Sequence, residues 1–462
     1  MKGKLNLLFI MTDHQRADSI GMVQGGVEVT PNLNRLAAEG VVFNRAYTTC
    51  PLCVPARTAL ATGKYPTKNG VVFNDWRGIR AGDHKPIHQL LAEAGYDVAH
   101  IGVHHIRVKP TIQERVPFVK WIDNSSYNRY LAGKGIDATP PEGIGAFKRE
   151  VIENQNGRPA RVKYSNTRCA VWEHPAEHFK DIYFCREAVE FLRDRRRNPF
   201  ALFVYLWAPH PPLRVPEPYA SLFDPEGIDL PPNVGLIPEG EPSNRRRGIA
   251  AQLAEGVSER EWRRVWAAHL GLVRLADTGI GDILKALEEA GRMDETVILF
   301  TVDHGDHLGQ HRMYQKMEMY EPAIRVPLIV RVPGCPHRSF DQPVSHLDVM
   351  PTLLDLLEIE PPDNLDGTSL LESIASGTSP PDKPVFSQYS GNPTVGDIRR
   401  AVITRRYKYV YDPNDTPELY DLEDDPLEMC NLAGDIKHRG VVQRLHEIGK
   451  SWAESHGDWV EF

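Results

Sequence analysis

The segment Cys53-Val54-Pro55-Ala56-Arg57 sets a thiol just before a helix that the sequence predicts over Pro55 to Thr62, with Gly63 as its stop. Free backbone N–H groups and the helix dipole at such a terminus favour an anion. Arg57, one turn on, adds a fixed positive charge. This is a sound place for a nucleophile that attacks an anionic ester; the plainer reading is a buried structural thiol. A second group is acidic. Asp13 follows a strand predicted over Leu5–Met11, and Asp303-His304 follow one predicted over Val297–Val302. In an open parallel sheet, ligands collect at the carboxyl ends of strands, so these distant residues could converge. Carboxylate oxygens with one imidazole suit a divalent metal, although any one of them alone could merely cap its strand.

The elements that must position these groups alternate. A helix begins at Thr30-Pro31 and stops at Gly40, followed by a strand over Val41–Ala46. Further helices are predicted over Ile87–Ala94, Ala188–Arg195, Glu261–Ala290 and Leu347–Leu357, and strands over Asp97–Ile101, Phe200–Leu206 and Pro327–Arg331. Such alternation predicts an α/β fold: a large, mostly parallel sheet flanked by helices. Residues 106–175 are polar and read as insertion and loop, as do the Pro-rich stretches Pro209–Pro218 and Leu230–Pro242. After about residue 370 the character changes to a Pro-rich stretch and then strands over Ile398–Tyr411. The predicted division is a catalytic unit over 1–372 and a smaller C-terminal α+β subdomain over 373–462.

The chain has 462 residues, 41% hydrophobic and 25% charged, which suits a folded globular protein and not a disordered one. Its net charge of -8 gives no support to a nucleic-acid or anionic-membrane partner. No apolar run is long enough to span a bilayer. Lys2 and Lys4 before Leu5–Met11 superficially resemble a secretion signal, but the run is short and ends at Asp13 without a cleavage site, so the expected location is cytoplasmic. Six cysteines in a chain this long do not form a disulfide framework. Cys50 and Cys53 form a C-x-x-C with no second pair to complete a zinc site.

The motif C-x-P-x-R at 53–57, followed by Thr62-Gly63, resembles the sulfatase signature. Asp13 is similar to that family's N-terminal metal ligand. Asp303-His304-Gly305-Asp306, with Lys316 beyond it, resembles the family's D-H-G-[ED] segment. Glu418 to Asp421, running on to Asn431-Leu432, resembles its C-terminal "ELYDL…NL" stretch. The four segments occur in the family's order, and the fold this implies is that of the alkaline-phosphatase superfamily.

The resemblance implies a formylglycine nucleophile made from Cys53 by a formylglycine-generating enzyme. Its hydrate carries two hydroxyls: one attacks sulfur and displaces the alcohol, and the other then expels sulfate. Arg57 would hold residue 53, and Asp13, Asp303 and His304 would bind one divalent metal with it, Ca2+ by family usage or Mn2+ given the imidazole. Lys316 would contact a sulfate oxygen. His210 matches the central substrate histidine and His105 that of the usual G-K-x-H. Asn74 resembles an asparagine of the choline-sulfatase and phosphonate-monoester-hydrolase branch.

Two departures matter. His14 stands where the family usually has a second acidic residue, and Val103 replaces the G-K-x-H lysine, a charge that Arg107 or Lys109 could restore. The expected substrate is a small-molecule or carbohydrate sulfate ester. The alternative is a phosphonate monoester or phosphodiester, since phosphonate monoester hydrolases resemble this sequence in lacking that lysine. A non-catalytic anion-binding relative is a third class. Elsewhere, Arg245-Arg246-Arg247 reads as a solvated face, His174 and His178 as surface residues, His307 and His311 as pocket-lining or structural, and Asp306 as a support behind the metal ligands.

Overall fold

A computed structural model of the chain describes residues 4–75, 81–82, 84–194 and 197–462. Eight strands form the main sheet: β1 (Asn6–Thr12), β2 (Val41–Phe43), β3 (Asp97–Gly102), β4 (Lys120–Ile122), β5 (Phe200–Tyr205), β6 (Thr296–Val302), β7 (Leu328–Arg331) and β8 (Arg338–Phe340). Their order across the sheet is β8-β2-β7-β6-β1-β5-β3-β4. Only β7 runs against the rest, pairing antiparallel with both β6 and β2. The central strands β1, β5 and β6 are buried along their whole length, as a parallel sheet covered on both faces requires.

Helices α1 (Pro31–Glu39), α2 (Cys53–Thr62), α3 (Ile87–Glu93), α4 (Lys180–Arg193), α5 (Glu259–Glu289), α6 (Val349–Leu356) and α7 (Arg439–Ser455) accompany the strands. Helix α5 starts two residues before its predicted start because Ser258 and Glu261 form a reciprocal capping box. Helix α4 begins well before Ala188, and Arg195 lies outside the described residues. The stretch predicted as helix from Leu347 opens with a 3₁₀ turn over His346–Asp348 before α6. Four further strands, β9 (Val385–Tyr389), β10 (Arg399–Ile403), β11 (Tyr407–Tyr411) and β12 (Glu418–Asp421), form an antiparallel meander against which α7 packs.

The structure corrects several sequence expectations. Val41–Ala46 is not one strand: Val41–Phe43 joins the main sheet, and Ala46–Tyr47 joins a small three-stranded one. Residues 106–175 are not a loop. They hold β4, a helix over Asn124–Lys134 and a hairpin of Lys148–Gln155 with Arg158–Ser165. The hairpin escapes a hydrophobicity reading because its inward positions include Glu153 while Ile152 faces solvent. Leu213–Pro216, read as loop, pairs parallel with Cys169–Trp172. Arg245 is not solvated: it is 1% exposed and pairs with Asp412, Glu418 and Glu318. A cation with three carboxylate partners can be buried where an unpaired one cannot.

Candidate active site

Strand register alone brings the first residues together. Thr12 of β1 lies opposite Val302 of β6, so Asp13 and Asp303 leave neighbouring strands at the same end. On the other side of β1, Met11 pairs with Tyr205 of β5, and Tyr205 pairs with Gly102 of β3. His210 and His105 follow those two strand ends. Gly102 is required there: its φ is +120°, and a Cβ would lie 1.9 Å from the Tyr205 carbonyl oxygen.

Helix α2 supplies the nucleophile candidate. Cys53 is its first residue rather than the residue before it, and the whole helix is buried. Asn74 Oδ1 accepts from the Val54 amide (3.1 Å), satisfying one of the free N–H groups of this first turn. The Arg107 amide donates to Thr58 Oγ1 (3.0 Å) on the same helix. Cys53 Sγ lies 3.6 Å from Asp13 Oδ1, 3.2 Å from His304 Nε2 and 2.7 Å from Lys316 Nζ. Arg57 donates to Asp303 Oδ2 through Nε, to Asp13 Oδ2 through Nη2 and to the Val103 carbonyl through Nη1, each at 2.8 Å.

The electrostatics follow from burial. Two carboxylates share one guanidinium; burial and the neighbouring Asp303 push Asp13 up to about 7. Asp303 is also penalised by burial, but His304, Arg57 and Lys316 outweigh this and hold it below the usual carboxylate range. Burial keeps His14 and His304 neutral, with His304 lowered to about 3. Burial, then Asp13, pushes the Cys53 thiol up.

Asp13, His14, Cys53 and His304 each bring one ligand atom within 4.8 Å of the others. Neutral imidazoles and a carboxylate are the forms that bind a divalent cation. The Lys316 ammonium touches three of these donors, His14 Nε2 (2.7 Å), Cys53 Sγ and His304 Nε2 (2.9 Å), so the cluster already accommodates positive charge. The donor set fits a divalent metal. Asp303 stands at its edge, with Oδ2 3.6 Å from His304 Nε2 and facing Arg57.

His14 is the donor that sequence reading missed. Residues adjacent on a strand point to opposite faces, which would separate His14 from Asp13. Beyond the end of β1, however, His14 takes a φ of +64° and turns to the same side. Asp306 Oδ2, 2.9 Å from His14 Nδ1, holds the ring so that Nε2 faces the cluster. The His210 ring packs 4.4 Å from that of His14, and its Nδ1 faces the Pro211 carbonyl. His105 is buried near Trp207. His307 and His311 lie outside the cluster; His311 stacks on Tyr320 and bonds the Leu427 carbonyl.

Family comparison agrees with this geometry. The family described as Sulfatase matches residues 5–359. The chain belongs to the sulfatase family. A second description, N-sulphoglucosamine sulphohydrolase, C-terminal, matches residues 309–453. Among relatives, this sulfatase is similar to the multifunctional alkaline phosphatase superfamily protein PehA of Trinickia caryophylli, at 30% identity over 98% of this chain and 96% of that one. It is also similar to an arylsulfatase of Clostridium perfringens, at 28% identity over 96% and 93%. The phosphonate monoester hydrolase SpPMH from Silicibacter pomeroyi shares its fold, with a TM-score of 0.80, 24% identity and coverage of 99% and 96%. This sulfatase is a sulfuric ester hydrolase by family. Among the described residues no helix is long and apolar enough to cross a membrane.

Proposed function

We propose that this sulfatase hydrolyses a small-molecule or carbohydrate sulfate ester with residue 53, converted to formylglycine, as its nucleophile. One observation carries the reading: Cys53 opens a buried helix with its Sγ in reach of Asp13, His304 and Lys316 together. Asp13, His14, His304 and residue 53, with Asp303 beside them, would hold one divalent metal, which when bound offsets charge on the transferring group. Arg57 orients Asp13 and Asp303 by its fork. Lys316 Nζ binds a sulfate oxygen, adding fixed positive charge where negative charge develops. His210 donates Nδ1–H to the Pro211 carbonyl and burial keeps the ring neutral, so Nε2 faces the leaving oxygen as a lone pair; it delivers a proton there only after taking one up from solvent as imidazolium. Asn74 and Arg107 position α2 through the contacts given above and take a share in binding the ester. His105 closes the same wall. Residues 1–372 form the catalytic unit, and 373–462 a subdomain that braces it.

A second reading has its own observation. Val103 is buried where the family's lysine would stand, and its carbonyl binds Arg57. Val103 itself therefore supplies no cation to a sulfate, which favours a phosphonate monoester or phosphodiester in the same site.

The test is the mass of the tryptic peptide Ala46–Arg57 from protein co-expressed with a formylglycine-generating enzyme, beside a known sulfatase. Conversion of Cys53 to the aldehyde is expected, followed by faster turnover of aryl sulfates than of aryl phosphonates. A thiol that persists while the control converts overturns the nucleophile. The reverse rate order selects the second reading.

A further inference from the structure

Sulfate-ester chemistry fixes the anionic head of the substrate, and the wall beside His210 bears on the alcohol half. A pocket of about 300 Å³ opens there. Tyr127, Trp172, Phe179 and Trp207 line it, and His210 belongs to the same wall. Short steps connect it to the donor cluster. The Trp207 ring lies 3.9 Å from that of His210, and the His210 ring 4.4 Å from that of His14. His210 is thus common to the pocket wall and to the edge of the donor cluster.

The pocket also contains Lys180. Its ammonium lies 5.1 Å from the Trp207 ring centre and 5.7 Å from that of Tyr127, and among the described residues it forms no ion pair. The adjacent carboxylate, Asp181, is turned to the amides of Trp207 and Ala208. The other cation at the pocket, Arg214, is already held by Glu173 (2.5 Å) and the Ala138 carbonyl (2.6 Å). Lys180 is also the first residue of α4, which has no side-chain cap, so the helix dipole adds positive potential at the same point. Burial disfavours this ammonium and lowers its proton affinity, a penalty that a bound anion would relieve.

We propose that this pocket receives an alcohol half that is a ring carrying a second anionic group, with the ring stacked on the indole walls and the anion bound by Lys180. The proposal rests on the sulfate-ester reading and deepens it. Stacking suits the face of an aryl or sugar ring. A quaternary ammonium alcohol would set like charge against Lys180 and is disfavoured.

Three comparisons test it on the formylglycine-bearing enzyme: phenyl sulfate against 3-carboxyphenyl sulfate, a monosaccharide monosulfate against its disulfate, and choline sulfate. A charge-assisted contact predicts that kcat/KM favours the acidic member of at least one pair by about tenfold or more. The pair that responds separates aryl from sugar. Lys180→Met should collapse that ratio toward one through KM, and Lys180→Arg should retain it. Equal rates within both pairs, or a ratio untouched by Lys180→Met, overturn the proposal. Quenching of tryptophan fluorescence by 3-hydroxybenzoate and by phenol reads the pocket without turnover. If no ester is hydrolysed but 3-hydroxybenzoate binds and Lys180→Met weakens it, the activity reading fails and the pocket assignment stands. If 3-hydroxybenzoate binds no better than phenol, the pocket assignment fails.

Discussion

Arg57 and Asp303, 246 positions apart in the chain, are joined by a 2.8 Å bond from Nε to Oδ2, with both side chains fully buried. The same guanidinium holds Asp13, so a single side chain from the nucleophile helix fixes the spacing of two carboxylates on adjacent strands. Helix α2 is thereby tied to the sheet at the point where its first residue must meet the donor cluster.

Removing that guanidinium should cost much more than losing one hydrogen bond. Arg57→Met keeps most of the volume but leaves two buried carboxylates without their cation. Breaking a buried pair in this way costs roughly 3–5 kcal/mol. Arg57→Lys should recover only part of it, because an ammonium cannot reproduce the fork. Urea unfolding at neutral pH measures the difference; a loss below about 1 kcal/mol in the Met variant would assign the clamp no structural role.

Cys53→Ala separates chemistry from folding. Its Sγ is small and lies among polar groups, so the expected destabilisation is about 1 kcal/mol, read as a small shift in unfolding midpoint. Hydrolysis should fall to background. Residual turnover in protein free of wild-type enzyme would show that residue 53 is not the nucleophile.

The two imidazoles of the donor cluster bear on which metal is retained. Nitrogen ligands suit Mn2+ or Zn2+ better than Ca2+, which prefers oxygen. His14→Asp should therefore shift retained metal toward Ca2+ when protein is dialysed against equal concentrations of Ca2+ and Mn2+ and its content measured. Asp306→Asn, which loosens the His14 ring, should weaken metal binding about 10–100-fold. Unchanged metal ratios in the first variant would remove His14 from the ligand set.

Much of this site was legible in the sequence because its residues follow strongly apolar strands or open a helix. Asp13, Asp303 and His304 were found from the ends of β1 and β6, and Cys53 and Arg57 from the start of α2. What stayed hidden depended on backbone conformation or on partners from elsewhere. His14 joins the cluster only through a left-handed turn. Arg245 is buried because three carboxylates, two of them from the C-terminal strands and the loop between them, come to meet it. Lys180 gains its meaning from Trp207 and Tyr127, which no spacing along the chain connects to it.

A buried trio near the C-terminal sheet gives a prediction in pH. Lys408, fully buried, pairs with both Glu428 and Glu321, the latter at 3.1 Å. Glu428 also accepts the Glu321 amide at 2.7 Å. One ammonium thus serves two carboxylates. Burial, opposed by Lys408 and reinforced by Glu321, raises Glu428 from 4.5 to about 7. Between those values the native state keeps a proton that the unfolded chain has released. The contribution of this group to stability is therefore full below about pH 4.5 and is lost as pH rises through about 7. Glu428→Gln carries no such proton. Whatever fixed cost the lost charge brings, the variant should gain on wild type by on the order of 2 kcal/mol between pH 5 and pH 8. Urea unfolding of both proteins across that range measures it. The gain should shrink when Glu321→Gln is added to both, since Lys408 then faces a single carboxylate in one protein and none in the other, while the burial of Glu428 remains. Parallel stability profiles for wild type and Glu428→Gln would show that Glu428 is ionised throughout and that Lys408 satisfies both carboxylates.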